Sequence, residues 1–235
     1  PLVAAMAAQD LLFAGEQPGT LRFKHGITRD VVYATLGLQQ RRDMHARVAG
    51  LLRARVGATE IEQCEPLAYH HAGAADFGAA ARYAEMAGDK AMSASSIDRA
   101  KTQYRAALEM LDRLPSTPER YQLWRSIVRR LGLATVFDPS REEKTLLGRA
   151  IDKARTHGDA AGQAYAKYWL GYVHYALGES KHAVLHCEEA LGQATRLQDT
   201  PLIVQARTMR GQAAASAADY GRAVELLDEM AHAAR

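Results

Sequence analysis

The sequence is poor in cysteine, proline and aromatic residues, and each shortage argues against a class of protein. Its 235 residues include 2 cysteines and 7 prolines, and aromatic residues make up 7%. Cys64 and Cys187 lie far apart and belong to no CxxC pair, so we expect no disulfide framework and a reducing cytoplasm. No apolar run approaches the roughly 20 residues that span a bilayer. No signal-peptide pattern occurs either, so the sequence predicts no membrane partner.

The motifs of phosphate binding and hydrolysis are missing as well. No Gly-x4-Gly-Lys-Ser/Thr loop, GxGxxG, GxSxG or HExxH motif occurs. Glu142-Glu143 and Glu188-Glu189 have the pattern of solvated helix positions rather than of an acid–base pair. The formal net charge of +3 is too small to indicate a nucleic-acid coat. We therefore expect no catalytic residue and no cofactor within the chain, and DNA is a disfavoured partner.

One histidine pattern has the spacing of a metal site. His182 and His186 lie four residues apart on a predicted helix, with Cys187 adjacent, and such a pair can hold zinc. No carboxylate or further histidine completes the set locally. Surface histidines beside a packed cysteine are the favoured interpretation, so the sequence predicts no metal site. His70 and His71 are consecutive, point about 100° apart on a helix and cannot chelate one ion together.

The chain from about residue 60 onward has a helical apolar pattern throughout. Short loops separate helices of roughly 15–18 residues, and such tight loops force neighbouring helices to be antiparallel. Ser140 followed by Glu143 is a capping-box signature. The loops are predicted at Gly73–Asp76, Ser93–Ser96, Pro115–Pro118, Asp138–Ser140, Gly158–Asp159, Gly178–Glu179, Asp199–Pro201 and Ala218–Asp219.

Residues 1–57 have a different pattern. Pro18-Gly19 is a strong turn signal, and its flanks Leu11–Ala14 and Leu21–Lys24 can pair as a small β-hairpin. Helices are predicted at about 27–36 and about 38–56. The second helix carries one apolar stripe, formed by Met44, Val48, Leu51 and Leu52. Together these elements have the outline of a partial winged-helix module.

Basic residues outnumber acidic ones between residues 21 and 57. A winged helix with that excess can contact the phosphates of DNA or of a nucleotide. A solvated helix face beside an interdomain contact is the favoured alternative. The basic residues are Arg22, Lys24, Arg29, Arg41, Arg42, Arg47, Arg53 and Arg55, and the acidic ones are Asp30 and Asp43.

An internal repeat is the most informative pattern in the sequence. At a fixed offset of about 40 residues, small or apolar residues recur at positions that suit the crossing points of paired helices. A large side chain at such a crossing would push the two backbones apart. The corresponding sets are Leu131, Gly171 and Gly211; Leu147, Cys187 and Leu227; Ala150, Ala190 and Met230; and Ala154, Ala194 and Ala234. An earlier unit with the same internal spacing contains Gly88, Ala100, Tyr104 and Ala107.

This spacing resembles that of the tetratricopeptide repeat (TPR). The period of about 40 differs from the usual 34, and Lys167 stands where an aromatic residue is usual. The resemblance implies an all-α fold, a TPR-like α-solenoid of antiparallel helical hairpins preceded by a partial winged-helix module with a small β-hairpin. The expected divisions are residues 1–57 for that module and its connecting helix, 58–118 for the first TPR-like helices, and 119–235 for the repeats.

Four tyrosines follow one face of a predicted helix at i, i+3, i+7 and i+10. In the repeat register, this face lines the concave groove of the stack, where phenol rings suit peptide contact. Packing of the stripe against an adjacent helix is the alternative. The tyrosines are Tyr165, Tyr168, Tyr172 and Tyr175. The equivalent positions on neighbouring first helices are Arg125 and Val128 before them, and Gln205, Thr208 and Gln212 after them.

Two segments of the amino-terminal part are similar to a known family. They are Leu21-Arg-Phe-Lys-His25-Gly-Ile-Thr-Arg-Asp-Val-Val-Tyr33 and Arg41-Arg42-Asp-Met-His45-Ala-Arg-Val-Ala49. They resemble the segment that follows the nucleotide-binding domain in bacterial STAND-type signalling ATPases, many of which carry a class III adenylate/guanylate cyclase domain. The resemblance is specific in 20–115 and generic afterwards. With a start at Pro1 inside an apolar helical pattern, it leads us to expect a fragment of a longer polypeptide.

The resemblance implies a non-catalytic regulatory or sensor scaffold of a cyclase-linked signalling ATPase. Its partners would be a peptide or protein in the groove and the upstream nucleotide-binding domain of the same polypeptide, which would bind ATP or ADP. His25 would contact the nucleotide phosphate, although Gly26 stands where an aspartate often follows; a structural role at the end of the hairpin is the alternative. The arm of a LuxR-type transcription activator and a free-standing TPR adaptor are the rival functions.

Overall fold

A computed structural model describes residues 2–15, 21–56, 60–136, 138–218, 220–221 and 224–225. These residues form helices α1 to α11 and a two-stranded antiparallel sheet. The chain divides into two compact units, residues 1–79 and 80–235. The expected fold class is confirmed, since a small hairpin and two helices precede a series of TPR-like helical hairpins. Within the described residues, no helix combines the length and apolar character that crossing a bilayer requires.

The elements of the first unit are α1 (Leu2–Ala8), β1 (Leu12–Ala14), β2 (Leu21–Phe23), α2 (Gly26–Thr35), α3 (Leu38–Val56) and α4 (Cys64–Gly73). The division between the units falls within α5 (Phe77–Ser93). The helices that follow are α6 (Ile97–Asp112), α7 (Pro118–Thr135), α8 (Arg141–Thr156), α9 (Ala160–Ala176), α10 (Ser180–Leu197) and α11 (Thr200–Ser216). The short turns from α4 to α11 coincide with seven of the eight loops that the sequence predicts, and Asp219 of the eighth lies outside the described residues.

The predicted β-hairpin is present. Strands β1 and β2 pair antiparallel, with Leu12 opposite Phe23 and Ala14 opposite Leu21. The Pro18-Gly19 turn lies outside the described residues. Helices α2 and α3 follow the hairpin within one residue of the predicted bounds, which completes the winged-helix outline.

Helix α3 does not bury the stripe that its apolar residues suggest. Met44 and Leu51 are exposed, whereas His45 and Ala49 are buried. The buried face of α3 is thus one residue further along the sequence than the predicted stripe, and it includes the polar imidazole of His45. Burial of a polar ring is tolerated when its nitrogens have partners.

His45 has partners on both ring nitrogens. Its Nε2 lies 2.9 Å from the Tyr33 hydroxyl, and its Nδ1 lies 3.0 Å from Nδ1 of His70. Gly73 of α4 permits this approach, because a Cβ added there would lie 2.5 Å from Cγ of His45. Hydrogen bonding and the missing side chain therefore explain why His45, rather than Met44, faces inward.

The described helices of the second unit repeat at the expected period, while the predicted repeat positions Leu227, Met230 and Ala234 lie outside the described residues. Helices α5, α7, α9 and α11 begin at residues 77, 118, 160 and 200. Successive first helices are thus about 40 residues apart, longer than the usual TPR period of about 34. The second helices α6, α8 and α10 alternate with them, so each hairpin packs on the next.

Paired helices cross where one of them carries glycine. A Cβ added to Gly171 of α9 would lie 2.6 Å from Sγ of Cys187 and 3.3 Å from the carbonyl oxygen of Ala183, both on α10. Gly88 of α5 faces the ring of Tyr104 on α6 in the same way. Cys187 is buried in this crossing, and burial raises the pKa of its thiol to about 12. It is the packed cysteine that the sequence predicts.

Glu143 corrects one expectation, because it is only 1% exposed rather than solvated. Its carboxylate accepts a hydrogen bond from the Ser140 backbone N–H at 2.9 Å, which closes the predicted capping box. It also forms ion pairs with Arg105 and Lys101 of α6. Burial alone would raise the pKa of Glu143, but the Ser140 hydrogen bond and the two cations hold it below its ordinary value.

The crossing predicts opposite effects for two Gly-to-Ala substitutions in neighbouring helices. Gly171→Ala should lower the free energy of unfolding by about 1–2 kcal/mol, because the new methyl group overpacks the contact with Cys187. Gly148→Ala on α8, where nothing lies within 4 Å of the added Cβ, should raise it by about 0.5–1 kcal/mol. Urea unfolding followed by circular dichroism measures both. Equal stabilisation by the two substitutions would contradict a close crossing at Gly171.

Candidate functional site

Two adjoining cavities open between the first helices α7, α9 and α11. Their volumes are about 130 Å³ and about 550 Å³. Arg129, Tyr165 and Asp199 line both cavities, so the two form a single surface. We call this surface the α7–α9–α11 groove.

The junction between α7 and α9 is filled by side chains. Asp159 caps α9, accepting a hydrogen bond from the Gly162 N–H at 2.8 Å. The Tyr121 hydroxyl and Nη1 of Arg125, both on α7, donate to the same carboxylate at 2.8 and 2.9 Å. Burial alone would raise the pKa of Asp159, but these hydrogen bonds and the Arg125 charge hold it below its ordinary value.

The next junction, between α9 and α11, is left partly open. Asp199 caps α11, and among the described residues its carboxylate accepts only the Leu202 N–H, at 3.1 Å. At the repeat offset, Ala161 and Tyr165 occupy the positions of the tyrosine and arginine that cover the earlier cap. A methyl group replaces a phenol at the first of these positions. The smaller cavity lies here, and both Ala161 and Asp199 line it.

The groove contains an exposed guanidinium. Cζ of Arg129 lies 5.0 Å from the centroid of the Tyr165 ring, within cation–π range. The neighbouring arginines are neutralised, since Arg125 pairs with Asp159 and Arg130 with Asp89. Arg129 itself forms no ion pair with any carboxylate in the described part of the chain. A guanidinium in this state can bind a carboxylate through two parallel hydrogen bonds.

Trp169 organises the aromatic residues of α9. Its ring makes edge-to-face contacts with Tyr165, Tyr168 and Tyr172, at centroid distances of 6.1, 5.3 and 5.5 Å. The indole is buried against Gly132 of α7, where an added Cβ would lie 3.0 Å from Cε2. Tyr165 is therefore held by a packed ring beneath it as well as by the guanidinium above.

The four tyrosines of the stripe have different surroundings. Tyr165 lines both cavities. Tyr168 packs against the cluster that contains Ala194 and Leu202, and burial raises its pKa to about 12. The Tyr172 hydroxyl donates to the Val136 carbonyl oxygen at 2.9 Å, and burial raises its pKa. Tyr175 is half-buried and lines neither cavity.

The other residues predicted for the groove are also divided. Arg125 and Val128 line the smaller cavity, and Gln205 lines the larger one. Thr208 is half-buried and donates to the Val204 carbonyl oxygen at 2.9 Å, while Gln212 is exposed; neither lines these cavities. The structure thus brings Arg125, Val128, Tyr165 and Gln205 to one surface. A role in binding remains a prediction for every residue of the set.

Sequence reasoning missed Arg129 and Asp199. Arg129 lies one helical turn after Arg125, which places both on the same face of α7. Asp199 is a preferred N-cap residue at the same repeat position as Asp159, and both signals are readable in the sequence. What no sequence rule supplies is that Ala161 leaves the second cap uncovered.

The residue predicted to sense nucleotide lies in the first unit. His25 is exposed at the N-cap of α2, and its side chain makes no capping hydrogen bond. Two of the basic residues in this part of the chain make contacts within the first unit. Lys24 pairs with Asp10, and the Arg41 guanidinium lies 4.8 Å from the centroid of the Tyr33 ring.

The histidine pair on α10 has neighbours outside its own helix. The ring of His174 on α9 lies 5.2 Å from that of His182 and 5.1 Å from that of His186 between centroids. Nδ1 of His174 lies 2.5 Å from a carboxylate oxygen of Glu179. The prediction of no metal site counted neither of these two residues. Glu179 lies three residues before His182 at the start of the same helix, and the turn between α9 and α10 brings His174 to the pair.

The filled junction predicts a pH-dependent contribution to stability. Asp159→Asn should lower the free energy of unfolding by about 1–2 kcal/mol at neutral pH, because it weakens charge-assisted hydrogen bonds that are partly exposed. The folded-state pKa of Asp159 is depressed, so this stabilisation is present above the ordinary value of 3.8 and is lost as the pH falls below it. The deficit of the variant should therefore shrink at about pH 3.

Urea unfolding of the variant and the parent at the two pH values measures this contribution. Asp199→Asn is the matched control, because it changes a cap that lacks the tyrosine and arginine partners and asparagine caps helices almost as well. We expect a loss smaller than about 0.5 kcal/mol for the control. A deficit of Asp159→Asn that is independent of pH would contradict the ionic role of its carboxylate.

Comparison with known proteins identifies the fold. No family model and no curated protein matches the chain. Among solved structures, it is similar to BtubC (BKLC) from P. vanneervenii, with a TM-score of 0.53 and 16% identity over 88% of this chain and 90% of that one. It is also similar to the apo form of RapI, with a TM-score of 0.56 and 11% identity over 86% of this chain and 56% of that one. At these identities the similarity shows a shared TPR-like helical fold.

Proposed function

We propose that this chain is a non-catalytic interaction scaffold whose α7–α9–α11 groove binds an extended peptide segment of a protein partner. The observation that carries the proposal is the Arg129 guanidinium, held over Tyr165 beside the uncovered cap Asp199. A peptide supplies the groups that match this surface. Its carboxylate pairs with Arg129, its N–H groups donate to Asp199 and Gln205, and one apolar side chain enters the smaller cavity.

The dimensions and the charge of the groove suit such a ligand. The cavity of about 130 Å³ is close to the roughly 150 Å³ of a cavity that accommodates benzene, so it has room for one apolar side chain. Burying that side chain contributes about 1.5–3 kcal/mol, and a charged hydrogen bond to Arg129 adds a similar amount.

The lining of the groove indicates which substitutions should weaken peptide binding. A random peptide library selected against the chain should enrich sequences that combine an acidic residue with a nearby apolar one. Synthetic copies of these peptides should bind at least about tenfold more weakly to Arg129→Met and to Tyr165→Ala, as expected when a charged hydrogen bond or an aromatic contact at the centre of an interface is lost. Fluorescence anisotropy measures the affinities.

Lys181→Met is the matched control, because it also removes one exposed cation, but from α10 outside the groove. It should leave the affinity unchanged. Circular dichroism should show the same helicity in all variants, since Arg129 is exposed and Tyr165 only half-buried. Enriched peptides that bind all four proteins equally would place the binding surface elsewhere, and a library without any enriched sequence would contradict the proposed function.

Residues 1–79 carry a feature that supports a place within a larger signalling ATPase. Helix α2, which is described in full, has no buried residue. Its Ile27 and Val31 lie four residues apart on one face and are 78% and 59% exposed. An apolar helix face of this kind marks an interaction site. The upstream nucleotide-binding domain that the family resemblance implies would cover this face, and His25 at the start of α2 would then report the nucleotide state.

The regulatory role follows from linkage between the two binding events. Peptide binding can shift a closed, nucleotide-holding state toward an open one only by the difference in its affinity for the two states. We expect the reading frame that encodes this chain to contain an upstream Gly-x4-Gly-Lys-Ser/Thr loop. A cyclase domain in the same frame would support the cyclase-linked form, and a terminal LuxR-type domain would support the activator instead. A reading frame without a phosphate-binding loop would favour the third function, that of a free-standing TPR adaptor.

A further inference from the structure

Three histidines and a glutamate, residue types that can ligate metal ions, lie near one another where α9 ends and α10 begins. His174 lies in the last turn of α9, Glu179 is the N-cap of α10, and His182 and His186 follow on successive turns of α10. The chain reverses at Gly178, whose φ of +77° favours glycine. The Glu179 N–H donates to the His174 carbonyl oxygen at 2.8 Å, so the backbone itself holds these two residues side by side.

The spacing of the ligand atoms is close to that of a metal site. One ligand atom from each of His174, Glu179 and His182 lies within 4.8 Å of the other two. Ligand atoms of a tetrahedral zinc ion, with bonds of about 2.1 Å, are about 3.4 Å apart. His182 is exposed, so its ring can turn inward by the difference without disturbing the packing of the hairpin.

His186 lies beside this group of three residues and has a ring nitrogen without a hydrogen-bond partner in the described part of the chain. Its Nδ1 is buried and makes no hydrogen bond with the described part of the protein. Buried polar atoms of folded proteins nearly always have a partner, so this nitrogen requires an explanation. Its ring lies 5.1 Å from that of His174, so the two imidazoles can reach a common ion.

The carboxylate of Glu179 already has a cationic partner beside the ring of His174. Nζ of Lys144 donates to both of its oxygens, at 2.9 and 3.0 Å. Lys144 lies 2.9 Å from this carboxylate and is the cation that a metal ion would have to compete with.

We propose that His174, Glu179, His182 and His186 form a binding site for one divalent transition-metal ion of the zinc class. Three imidazoles and a carboxylate are a ligand set that zinc accepts in tetrahedral geometry. The ion connects the end of α9 to the start of α10 and stabilises this hairpin. The site lies outside the α7–α9–α11 groove and does not depend on the proposed function.

Calorimetric titration of the chelator-treated, untagged chain with Zn²⁺ tests the site. The parent chain should bind one ion, and Co²⁺ in its place should give the intense visible absorption of a tetrahedral complex. Glu179→Gln, His174→Phe and His182→Ala should each bind Zn²⁺ at least about tenfold more weakly, which is the smallest effect expected even for outer-shell partners. His182 is exposed, so its variant should fold normally, and His174→Phe keeps an aromatic ring in place.

Two further variants make the test specific. His157→Gln removes a histidine of the same unit that stacks on Tyr121, far from the site in sequence, and should leave the affinity unchanged. Lys144→Met removes the competing ammonium group and should strengthen Zn²⁺ binding. Absence of saturable binding by the parent chain, or equal affinities of the parent and the folded His182→Ala variant, would overturn the proposal.

Discussion

The second unit depends on the close approach of paired helices at positions that have no side chain. Gly171 against Cys187 and Gly88 against Tyr104 set the separation of the helices within their hairpins. Alanines such as Ala183, Ala190 and Ala194 of α10 are fully buried, so an alanine-rich chain with few aromatics still builds a core. First helices lie beside first helices, since α7, α9 and α11 line the two cavities, and ion pairs connect the second helices α6 and α8.

Polar side chains then connect one hairpin to the next. Glu143 receives Lys101 and Arg105 from the preceding second helix, and Asp159 receives Tyr121 and Arg125 from the preceding first helix. Asp159 is also the N-cap of α9, and Glu143 closes the capping box of α8, so each acid has enough donors to compensate for burial. The candidate groove lies where this scheme is incomplete. Asp199 caps α11 as Asp159 caps α9, but Ala161 stands where Tyr121 covers the earlier cap. The carboxylate of Asp199 therefore remains accessible beside the smaller cavity.

The α9–α10 hairpin contributes to two separate sites, the α7–α9–α11 groove and the histidine cluster at the turn between its helices. Trp169 fixes Tyr165 for the groove from within, and the turn at Gly178 brings His174 to the histidines of α10. Packing, rather than loop flexibility, holds both arrangements in place.

The sequence by itself determined the helical period, the loops, the hairpin at β1–β2 and the glycine crossing at Gly171. These features arise from local turn chemistry and from spacing along one chain. Tertiary structure decided which face of α3 is buried, that Glu143 is an interior cap, and that Tyr168 serves packing whereas Tyr165 faces a cavity. It also decided that Arg129 meets Tyr165, and that His174 of α9 lies against His182 and His186 of α10. The reason is that these contacts join different helices, and their distances depend on how closely the helices cross, which no spacing within a single helix specifies.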